Sequence, residues 1–368
     1  MGRTLEHILR ERVKDARAID TVFAEDIAER VAQFTLRGGK RLRSQFLWWG
    51  LRACEGGSDT GQTEAALRLA AGLELIQTCA LVHDDVMDGS PLRRGRAAVH
   101  VDLRHQYAAD DSGQSFGRAA AILVGDLALS WADDVMASAD LLPPTASRVR
   151  DLWQAMRQEM VAGQYLDLQG QATGSRSMAR AVRTASLKSA LYSVERPLGL
   201  GAALAGADEG ATRALCWAGR CAGLAFQLRD DLLGAFGEPA ATGKPSGDDI
   251  REGKATYLLA VATDRAEATG DRDALALLAA CVGKAELGED GVRKVREAFE
   301  TTGARAIVEE RIRRLARQAS RHLTTGTFAP HAERRLRGLF HRVAALPSAD
   351  GAAPPPAGQD PFAKGGIQ

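Results

Sequence analysis

Apolar residues recur every three to four positions from about residue 5 to residue 345, which is the spacing of one face of an α-helix. Ala, Leu, Arg and Glu are abundant, and the alternation typical of β-strands is nearly absent. The pattern therefore predicts an all-α fold. The predicted helices cover residues 5–35, 42–54, 62–88, 115–138, 146–170, 178–205, 210–235, 254–265, 272–283, 289–300, 303–323 and 330–345.

Clusters of Gly, Pro, Ser and Asp interrupt the helical pattern at residues 56–61, 141–145 and 237–249. The third cluster is long and charged, as is typical of a mobile active-site loop. From residue 346 the chain is rich in Pro, Gly and Ala, a composition that cannot build a core. We therefore predict one domain over residues 1–345 and a disordered tail over residues 346–368.

Composition narrows the class of protein. The 368 residues include 48 Lys and Arg against 47 Asp and Glu, so no whole-chain field attracts nucleic acid or an anionic membrane. The five cysteines lack metal-ligand spacing and are predicted to be reduced thiols. The N-terminus lacks the apolar core of a signal peptide, and no segment has the roughly 18 uninterrupted apolar residues of a membrane span. The chain is therefore predicted to be cytoplasmic, with no membrane span and no nucleic-acid partner.

Two long apolar segments each end in clustered carboxylates. Residues 65–82 run directly into Asp84, Asp85 and Asp88. At about 100° per residue, the first and third of these acids lie about 40° apart on the helix surface and can share a cation. In the second case, residues 211–228 are followed by Asp230 and Asp231.

Clustered carboxylates at a helix C-terminus need a compensating positive charge, because they repel one another and face the negative end of the helix dipole. Magnesium fits, since it takes oxygen ligands and commonly combines one or two carboxylates with water and phosphate oxygens. The alternative is that each pair is a solvated helix end balanced by nearby Arg. Asp133 and Asp134 also lie in an Asp-Asp-Val-Met sequence but lack the following acid and a basic cluster, so we interpret them as structural.

Basic residues also cluster in the sequence, next to a pair of glycines and next to the first acidic cluster. Lys40, Arg41 and Arg43 come just after a Gly pair that lets the backbone approach a phosphate closely. Arg93 and Arg94 follow the first acidic cluster by a few residues, where they can grip phosphates that the metals hold. Three further lysines lie in or beside the predicted site, namely Lys188, Lys244 and Lys254.

Four ordered motifs carry a resemblance to a known family. They are GGKRLR, LVHDDVMDGSPLRRG, FQLRDDLLGAFG and GKPSGDDIREGKAT, spread over about residues 35–258. In this order they closely resemble the trans-isoprenyl diphosphate synthases of the polyprenyl synthetase family, most of all a bacterial geranylgeranyl diphosphate synthase. The resemblance implies an isoprenoid synthase-type helical bundle around a deep central cavity, a homodimer, and three magnesium ions with an allylic diphosphate at the cavity mouth.

The resemblance also implies roles for single residues. Asp84 and Asp88 are expected to ligate two magnesium ions and Asp230 the third, with Asp85, Asp231 and Asp249 as supporting acids. The expected binding site for isopentenyl diphosphate consists of Lys40, Arg43, Gln77 and Arg94. The expected site for the allylic diphosphate consists of Arg93, Lys188, Ser189, Gln227, Lys244 and Lys254.

The implied reaction is head-to-tail elongation. Metals and cations stabilise the departing diphosphate, an allylic cation forms, and the double bond of isopentenyl diphosphate attacks it. No Ser, Cys or His nucleophile is needed, so His83, His100 and His105 are interpreted as structural or supporting residues. Gly234 is a departure from the family pattern, because many members have an acid at this fifth position of the second motif.

Product length is expected to depend on the residues one turn before the first acidic motif. These are Cys79 and Ala80, whose small side chains predict a product longer than fifteen carbons, with twenty-carbon geranylgeranyl diphosphate preferred. Leu123, Leu127 or Trp131 are predicted to set the final floor.

Three alternatives to this interpretation of the sequence remain. They are a longer-chain synthase, a catalytically inactive partner subunit, and a class I terpene cyclase. The last is disfavoured because the chain contains no Asn, which the second metal motif of such cyclases usually requires.

Overall fold

The computed structural model describes residues 1–107, 111–237 and 247–345, with no side-chain description for residues 111 and 112. Within these ranges the predicted all-α fold is confirmed, and the β-structure consists of two residues in each of two paired strands, β1 (Leu92–Arg93) and β2 (Arg96–Ala97). The predicted tail and Lys244 lie outside the described residues.

The first half of the chain contains the helices that form one wall of the site. They are α1 (Gly2–Ile19), α2 (Thr21–Phe23), α3 (Glu29–Leu36), α4 (Leu42–Ala53), α5 (Thr60–Asp88), α6 (Val99–Tyr107), α7 (Asp111–Ala137) and α8 (Pro143–Ala172), with the π-helical segment π1 (Ala24–Ala28) before α3.

The second half contributes the facing wall and an outer layer. Its helices are α9 (Met178–Ala185), α10 (Arg196–Ala205), α11 (Glu209–Phe236), α12 (Asp248–Glu252), α13 (Tyr257–Thr269), α14 (Arg272–Cys281), α15 (Glu289–Thr301), α16 (Ala304–Leu323) and α17 (Pro330–Ala344). The π-helical segment π2 (Ser186–Glu195) joins α9 to α10.

The central helix α5 is buried because its sequence is apolar over most of its circumference. An 18-residue window of it has a mean hydropathy of 1.5, and 72% of that window is buried inside the protein. It is the one helix of the described chain that is long and apolar enough to cross a membrane, but this degree of burial is typical of the core helix of a globular domain. Its neighbour α7 packs so closely that a Cβ on Gly72 would lie 2.8 Å from the sulfur of Met136.

Glycines also bring α4 and α10 into contact. A Cβ on Gly201 would lie 2.2 Å from the carbonyl oxygen of Leu47, and one on Gly50 would lie 2.9 Å from that of Leu198. The two backbones therefore touch without intervening side chains. This contact fixes α4, which carries Arg43, relative to π2, which continues directly into α10.

The structure departs from the predicted helices in several places. The helix predicted over 5–35 is broken at Asp20, which has extended φ and ψ angles and caps the following turn through its side chain. The helix predicted over 178–205 contains the ten-residue segment π2. Helix α6 has no counterpart among the predicted helices. It forms because α7 approaches it at Gly117, where a Cβ would lie 2.3 Å from the carbonyl oxygen of His100.

Candidate active site

A cavity of about 550 Å³ lies between α4, α5, α8, π2, α11 and α12. Most of the predicted site residues line it, namely Lys40, Arg43, Gln77, Asp84, Arg93, Lys188, Ser189, Gln227, Asp230, Asp231 and Lys254. Asp85, Asp88 and Arg94 do not line it and instead contact or neighbour residues that do. The leading acids of the two acidic helix ends, Asp84 and Asp230, thus line one and the same cavity.

Asp84 lies at the centre of the first acidic cluster. Its carboxylate accepts hydrogen bonds from Arg93 at 3.1 Å, Gln164 at 3.1 Å and Lys188 at 3.0 Å. Burial alone would raise the pKa of Asp84, but Lys188, Lys254 and Arg93 outweigh it and hold the pKa below its ordinary value. Asp84 is therefore ionised at neutral pH and able to bind a cation.

The other two acids of the first cluster have different surroundings. Asp85 is fully buried and accepts from Nε of Arg93 at 2.8 Å, so it orients this arginine. Asp88 lies 3.3 Å from the ammonium of Lys254, yet neither of its buried oxygens accepts a hydrogen bond from the described residues. Burial, together with repulsion from Asp84, raises the pKa of Asp88 despite Lys254.

The second cluster lies at the end of α11. Asp230 is exposed to the cavity, whereas Asp231 is buried and accepts from Nε2 of Gln227 at 2.7 Å. Burial and the neighbouring Asp249 raise the pKa of Asp231 to about 8. Asp230 is thus the acid of this pair that is presented to a ligand.

This raised pKa predicts a pH effect in metal-free protein. The folded-state pKa of Asp231 lies above its ordinary value of 3.8, so its contribution to stability is complete below about pH 4 and is lost as pH rises through about 8. Asp231→Asn should flatten the fall in the free energy of unfolding by up to about 1.4 kcal/mol per pH unit in this window. Urea unfolding in EDTA at several pH values measures it. Parallel pH profiles for the two proteins would contradict the assignment.

Lys254 joins the two acidic clusters. Its ammonium lies 3.3 Å from Asp88, 3.7 Å from Asp249 and 2.9 Å from Glu252. Burial would lower the pKa of Lys254, but Asp249, Asp88 and Glu252 raise it well above its ordinary value. The lysine is therefore a permanent cation between the two helix ends.

The two adjacent arginines point to different sides of the site. They lie at the hairpin between β1 and β2, whose turn residues Arg94 and Gly95 both have positive φ, 54° and 72°. Arg93 faces Asp84 and Asp85. The guanidinium of Arg94 instead lies over the Phe34 ring, 5.3 Å from its centroid, and beside Gly39. The two guanidinium groups have different neighbours, which suits the separate roles that the family resemblance implies better than a shared grip on one phosphate.

Three cations gather on the Arg94 side with no carboxylate within 4 Å among the described residues, although the buried Glu74 attracts Arg43 and Arg94 from farther away. Lys40 lines the cavity, and Arg43 lies over the ring of Tyr192 at 4.3 Å and donates to Ser193 at 2.6 Å. Burial lowers the pKa of Arg43. Burial, together with repulsion from Arg93 and Arg43, lowers the pKa of Arg94 despite the attraction of Glu74. An anion bound here would relieve this unbalanced positive charge.

Segment π2 supplies several cavity residues in succession, as π-helical turns at functional sites often do. Lys188 reaches both Asp84 at 3.0 Å and Asp167 at 2.6 Å. Ser189 is hydrogen-bonded to Gln227. The hydroxyl of Tyr192 donates to Gln77 at 3.1 Å.

Sequence reasoning missed several polar residues of this region, among them Gln164, Asp167 and Tyr192. The first two lie three residues apart on one face of α8, which a helical-wheel inspection would have shown. Gln164 and Asp167 reach the site because Gly163, which has no side chain, lets α8 approach π2. A Cβ added at Gly163 would lie 2.5 Å from the backbone nitrogen of Lys188.

The apolar wall of the cavity includes Ala80, Leu81 and Met160. Cys79 is buried and does not line it, and its sulfur lies 3.7 Å from Nδ1 of His83. Leu123 is 58% exposed, so it cannot form an internal floor within one chain.

Asp133 and Asp134, the two acids interpreted as structural, pair with residues that do not line the cavity. Asp133 accepts from Nε1 of Trp153 at 2.6 Å and pairs with Arg157, and Asp134 lies 3.2 Å from Arg12. Neither lines the cavity.

The donor set fits magnesium. No group of three close His, Cys, Asp or Glu side chains is found among the described residues, so the chain offers no all-protein cage there. Magnesium rarely uses one, because it keeps waters and takes one or two carboxylates together with substrate phosphate. Asp88, with two buried oxygens that accept no hydrogen bond from the described residues, and the anionic Asp84 four residues earlier provide such carboxylates.

Comparison with known proteins agrees with this site. The polyprenyl synthetase family model matches residues 25–299, and the chain therefore belongs to this family, that of the trans-isoprenyl diphosphate synthases. A (2E,6E)-farnesyl diphosphate synthase from Mycobacterium bovis is 33% identical over 262 residues, which are 71% of this chain and 66% of that protein. A geranylfarnesyl diphosphate synthase from Aeropyrum pernix is 30% identical over 280 residues, 75% of this chain and 80% of that protein.

A solved structure extends the likeness to almost the whole chain. The crystal structure of geranylgeranyl pyrophosphate synthase from Corynebacterium glutamicum, complexed with isoprenyl diphosphate and magnesium, has a TM-score of 0.88 at 37% identity. The match covers 94% of this chain and 98% of that one. The predicted isoprenoid synthase-type bundle is thereby confirmed.

Proposed function

We propose that this protein is a magnesium-dependent trans-prenyltransferase that condenses isopentenyl diphosphate with an allylic diphosphate. The observation that carries the proposal is the division of the cavity's cations into two sets. Arg93, Lys188 and Lys254 form ion pairs with carboxylates within 4 Å, whereas Lys40, Arg43 and Arg94 form none among the described residues, and Glu74 attracts the two arginines only from farther away. One set suits a diphosphate that arrives with metal, and the other suits a diphosphate without metal.

The carboxylates and the first set of cations suit the allylic substrate. We propose that Asp84 and Asp88 hold two magnesium ions and Asp230 a third. Bound magnesium would neutralise the diphosphate oxygens and so stabilise the leaving group. Lys188 and Lys254, both with raised pKa values, remain charged and hold the departing diphosphate. Asp85 keeps Arg93 directed at the same place.

The second set positions isopentenyl diphosphate, the nucleophile. Tyr192 orients Gln77 and supports the guanidinium of Arg43, so both groups are held before substrate arrives. The apolar wall at Ala80 and Leu81 receives the growing hydrocarbon chain. Because the residue at position 80 is small, we propose geranylgeranyl diphosphate as the main product. We also propose that the reaction takes place in the cytoplasm.

Release of inorganic diphosphate tests the proposed reaction. Purified protein mixed with isopentenyl diphosphate and farnesyl diphosphate should release it only when magnesium is present, and EDTA should abolish the release. No release in magnesium with farnesyl diphosphate or with any shorter allylic primer would overturn the proposal and favour an inactive partner subunit.

We also propose that the protein is a homodimer. Apolar side chains are exposed along one side, where α5 lies between α7 and α8, namely Met87, Ile122, Leu123, Val161 and Tyr165. Met87 contacts Gln164 of α8, and His83 one turn earlier contacts the carbonyl oxygen of Ile122 of α7, so these positions are neighbours. A contiguous apolar surface of this kind is typical of an interface.

Leu123→Arg should convert the dimer to a monomer, because it places a charge within the apolar surface. Light scattering of the eluting protein measures the mass. Ile307→Arg is the matched control, since Ile307 is also exposed but lies on α16. A parent protein with the mass of one chain would contradict the proposal.

A further inference from the structure

The last two helices of the described chain are strongly basic. Residues 304–344, which include α16 and α17, contain ten arginines, no lysine and three acids. The whole chain has 48 basic and 47 acidic residues, so the rest of the chain carries a net negative charge. Positive charge is therefore concentrated on these two helices although the totals for the chain balance.

Five exposed arginines of these helices have no carboxylate within 4 Å among the described residues. The three acids pair with four other arginines at 2.6–3.8 Å. The tenth, Arg311, donates to the hydroxyl of Tyr257 at 3.0 Å. Arg314 attracts Glu310 only from farther away. We call the remaining five the arginine face, which consists of Arg314, Arg321, Arg334, Arg335 and Arg342.

Helical spacing places the arginine face on the outward sides of α16 and α17. Arg314 and Arg321 are seven residues apart, so they lie about 20° apart around α16. Arg335 and Arg342 have the same spacing on α17, and Arg334 lies about 100° from Arg335. Each helix thus carries a strip of guanidinium groups.

The two strips belong to one surface. Helix α16 packs against α17, and Leu323 of the first helix and Leu336 of the second are buried in the same apolar cluster. The exposed sides of the two helices therefore point away from a shared core. The apolar surface proposed for the dimer lies on α5, α7 and α8, so that interface does not use the arginine face.

We propose that the arginine face docks the protein on an anionic phospholipid surface. A guanidinium group presents two parallel N–H donors that match phosphate oxygens, and a bilayer presents many phosphates in a plane that several arginines reach together. Neither helix exposes a Phe, Tyr or Trp side chain, because Phe340 is buried, so this surface lacks the stacking platforms that bind single-stranded nucleic acid. The same lipids repel the net negative remainder of the chain, which favours docking in one orientation.

The proposed product also suits a lipid partner, and this point alone rests on the proposed function. A twenty-carbon prenyl chain is far more favourably placed in a bilayer than in water. A protein held at the bilayer surface therefore releases this product close to the phase in which it accumulates. The docking itself needs no catalysis, so it can be tested without substrates.

Sedimentation with vesicles tests the docking. The full-length protein is mixed with vesicles of phosphatidylcholine alone, or of phosphatidylcholine with about 30% phosphatidylglycerol, in about 0.1 M salt. The protein should sediment only with the anionic vesicles. Raising the salt to about 1 M should abolish the binding, because the Debye length falls from about 10 Å to about 3 Å.

A triple variant assigns the binding to the arginine face. Arg321→Gln, Arg334→Gln and Arg342→Gln together should lower the partition coefficient on anionic vesicles about hundredfold, since each arginine near an anionic surface contributes a factor of about five. The melting temperature should stay within a few degrees of the parent, because all three side chains are exposed.

The matched control removes the same charge elsewhere. Arg68, Arg150 and Arg272 are also exposed, have no carboxylate within 4 Å among the described residues, and lie on α5, α8 and α14. Replacing all three by Gln should keep the partition coefficient within about threefold of the parent, because these positions are not on the arginine face.

The outcomes that overturn the proposal are distinct from failure of the proposed reaction. A parent protein that binds neutral and anionic vesicles alike, or that binds neither, would overturn it, as would an equal loss of binding in the control variant. Tighter binding to a DNA duplex or to polyglutamate than to anionic vesicles, at equal total negative charge, would assign the face to a soluble polyanion instead. All of these results leave the proposed prenyl transfer intact, since no substrate is present.

Discussion

Asp84→Asn is expected to reduce the rate of product formation by about 10³-fold. The substitution keeps the shape of the side chain but removes the charge that, in the proposed mechanism, fixes metal against the leaving diphosphate. Metal stabilisation of the transition state contributes several kcal/mol, and about 4 kcal/mol corresponds to this factor. Initial rates with isopentenyl and farnesyl diphosphates at saturating magnesium measure the loss.

The chain provides its own control for this substitution. Asp133 begins the same Asp-Asp-Val-Met sequence, but it hydrogen-bonds Trp153 and pairs with Arg157 away from the cavity. Asp133→Asn should keep the rate within about threefold while lowering stability by about 1 kcal/mol, the usual value of one hydrogen bond. Similar rate losses in the two variants would mean that Asp84 has no special role.

Ala80→Phe is expected to shorten the product. Ala80 lines the cavity one turn before Asp84, and a phenyl ring there occupies space that the growing chain needs. Overpacking of this kind costs about 1–3 kcal/mol, so the share of twenty-carbon product should fall about tenfold or more, with fifteen-carbon product accumulating. Chromatography of the dephosphorylated products measures the distribution.

Ala80→Ser is the control for the product change, because it alters polarity without adding length. It should keep the parent's product distribution. An unchanged distribution in Ala80→Phe would show that the hydrocarbon chain leaves the site by another route.

The sequence predicts the fold where burial alone determines it. Long apolar segments such as α5 and α11 can form only buried helices, and their observed ends lie within two residues of the predicted ones. Helix α6 depends on tertiary contact instead, because it is short and forms against α7 at Gly117. The π-helical turns of π2 also leave no simple trace in apolar periodicity.

The site is predictable to a similar extent. Acids and cations within one local motif, such as Asp84 with Asp88, can be found because helical spacing places them together. Gln164 and Asp167 escape sequence reasoning, since they join the site through the contact of α8 with π2 rather than through sequence neighbourhood. Adjacent residues can also have different neighbours: Arg93 pairs with Asp84 and Asp85, whereas Arg94, at the turn of the hairpin, lies over Phe34.

The contact between Gly234 and Asp249 cannot be predicted either. The sequence shows a glycine where the first motif has an acid, which suggests a loss. Only the packing of α12 against α11 shows that a Cβ on Gly234 would lie 1.9 Å from a carboxyl oxygen of Asp249.

Product sizing tests the central claim most directly. Purified protein is incubated with isopentenyl diphosphate and each allylic primer in turn, with magnesium or with EDTA, and the dephosphorylated products are separated by chain length. We predict a twenty-carbon prenyl alcohol that forms only with magnesium. Longer products would support the same reaction but would mean that the cavity ends farther from the acidic residues. The absence of any magnesium-dependent product with every primer would contradict the assignment of this cavity as a prenyl-elongation site.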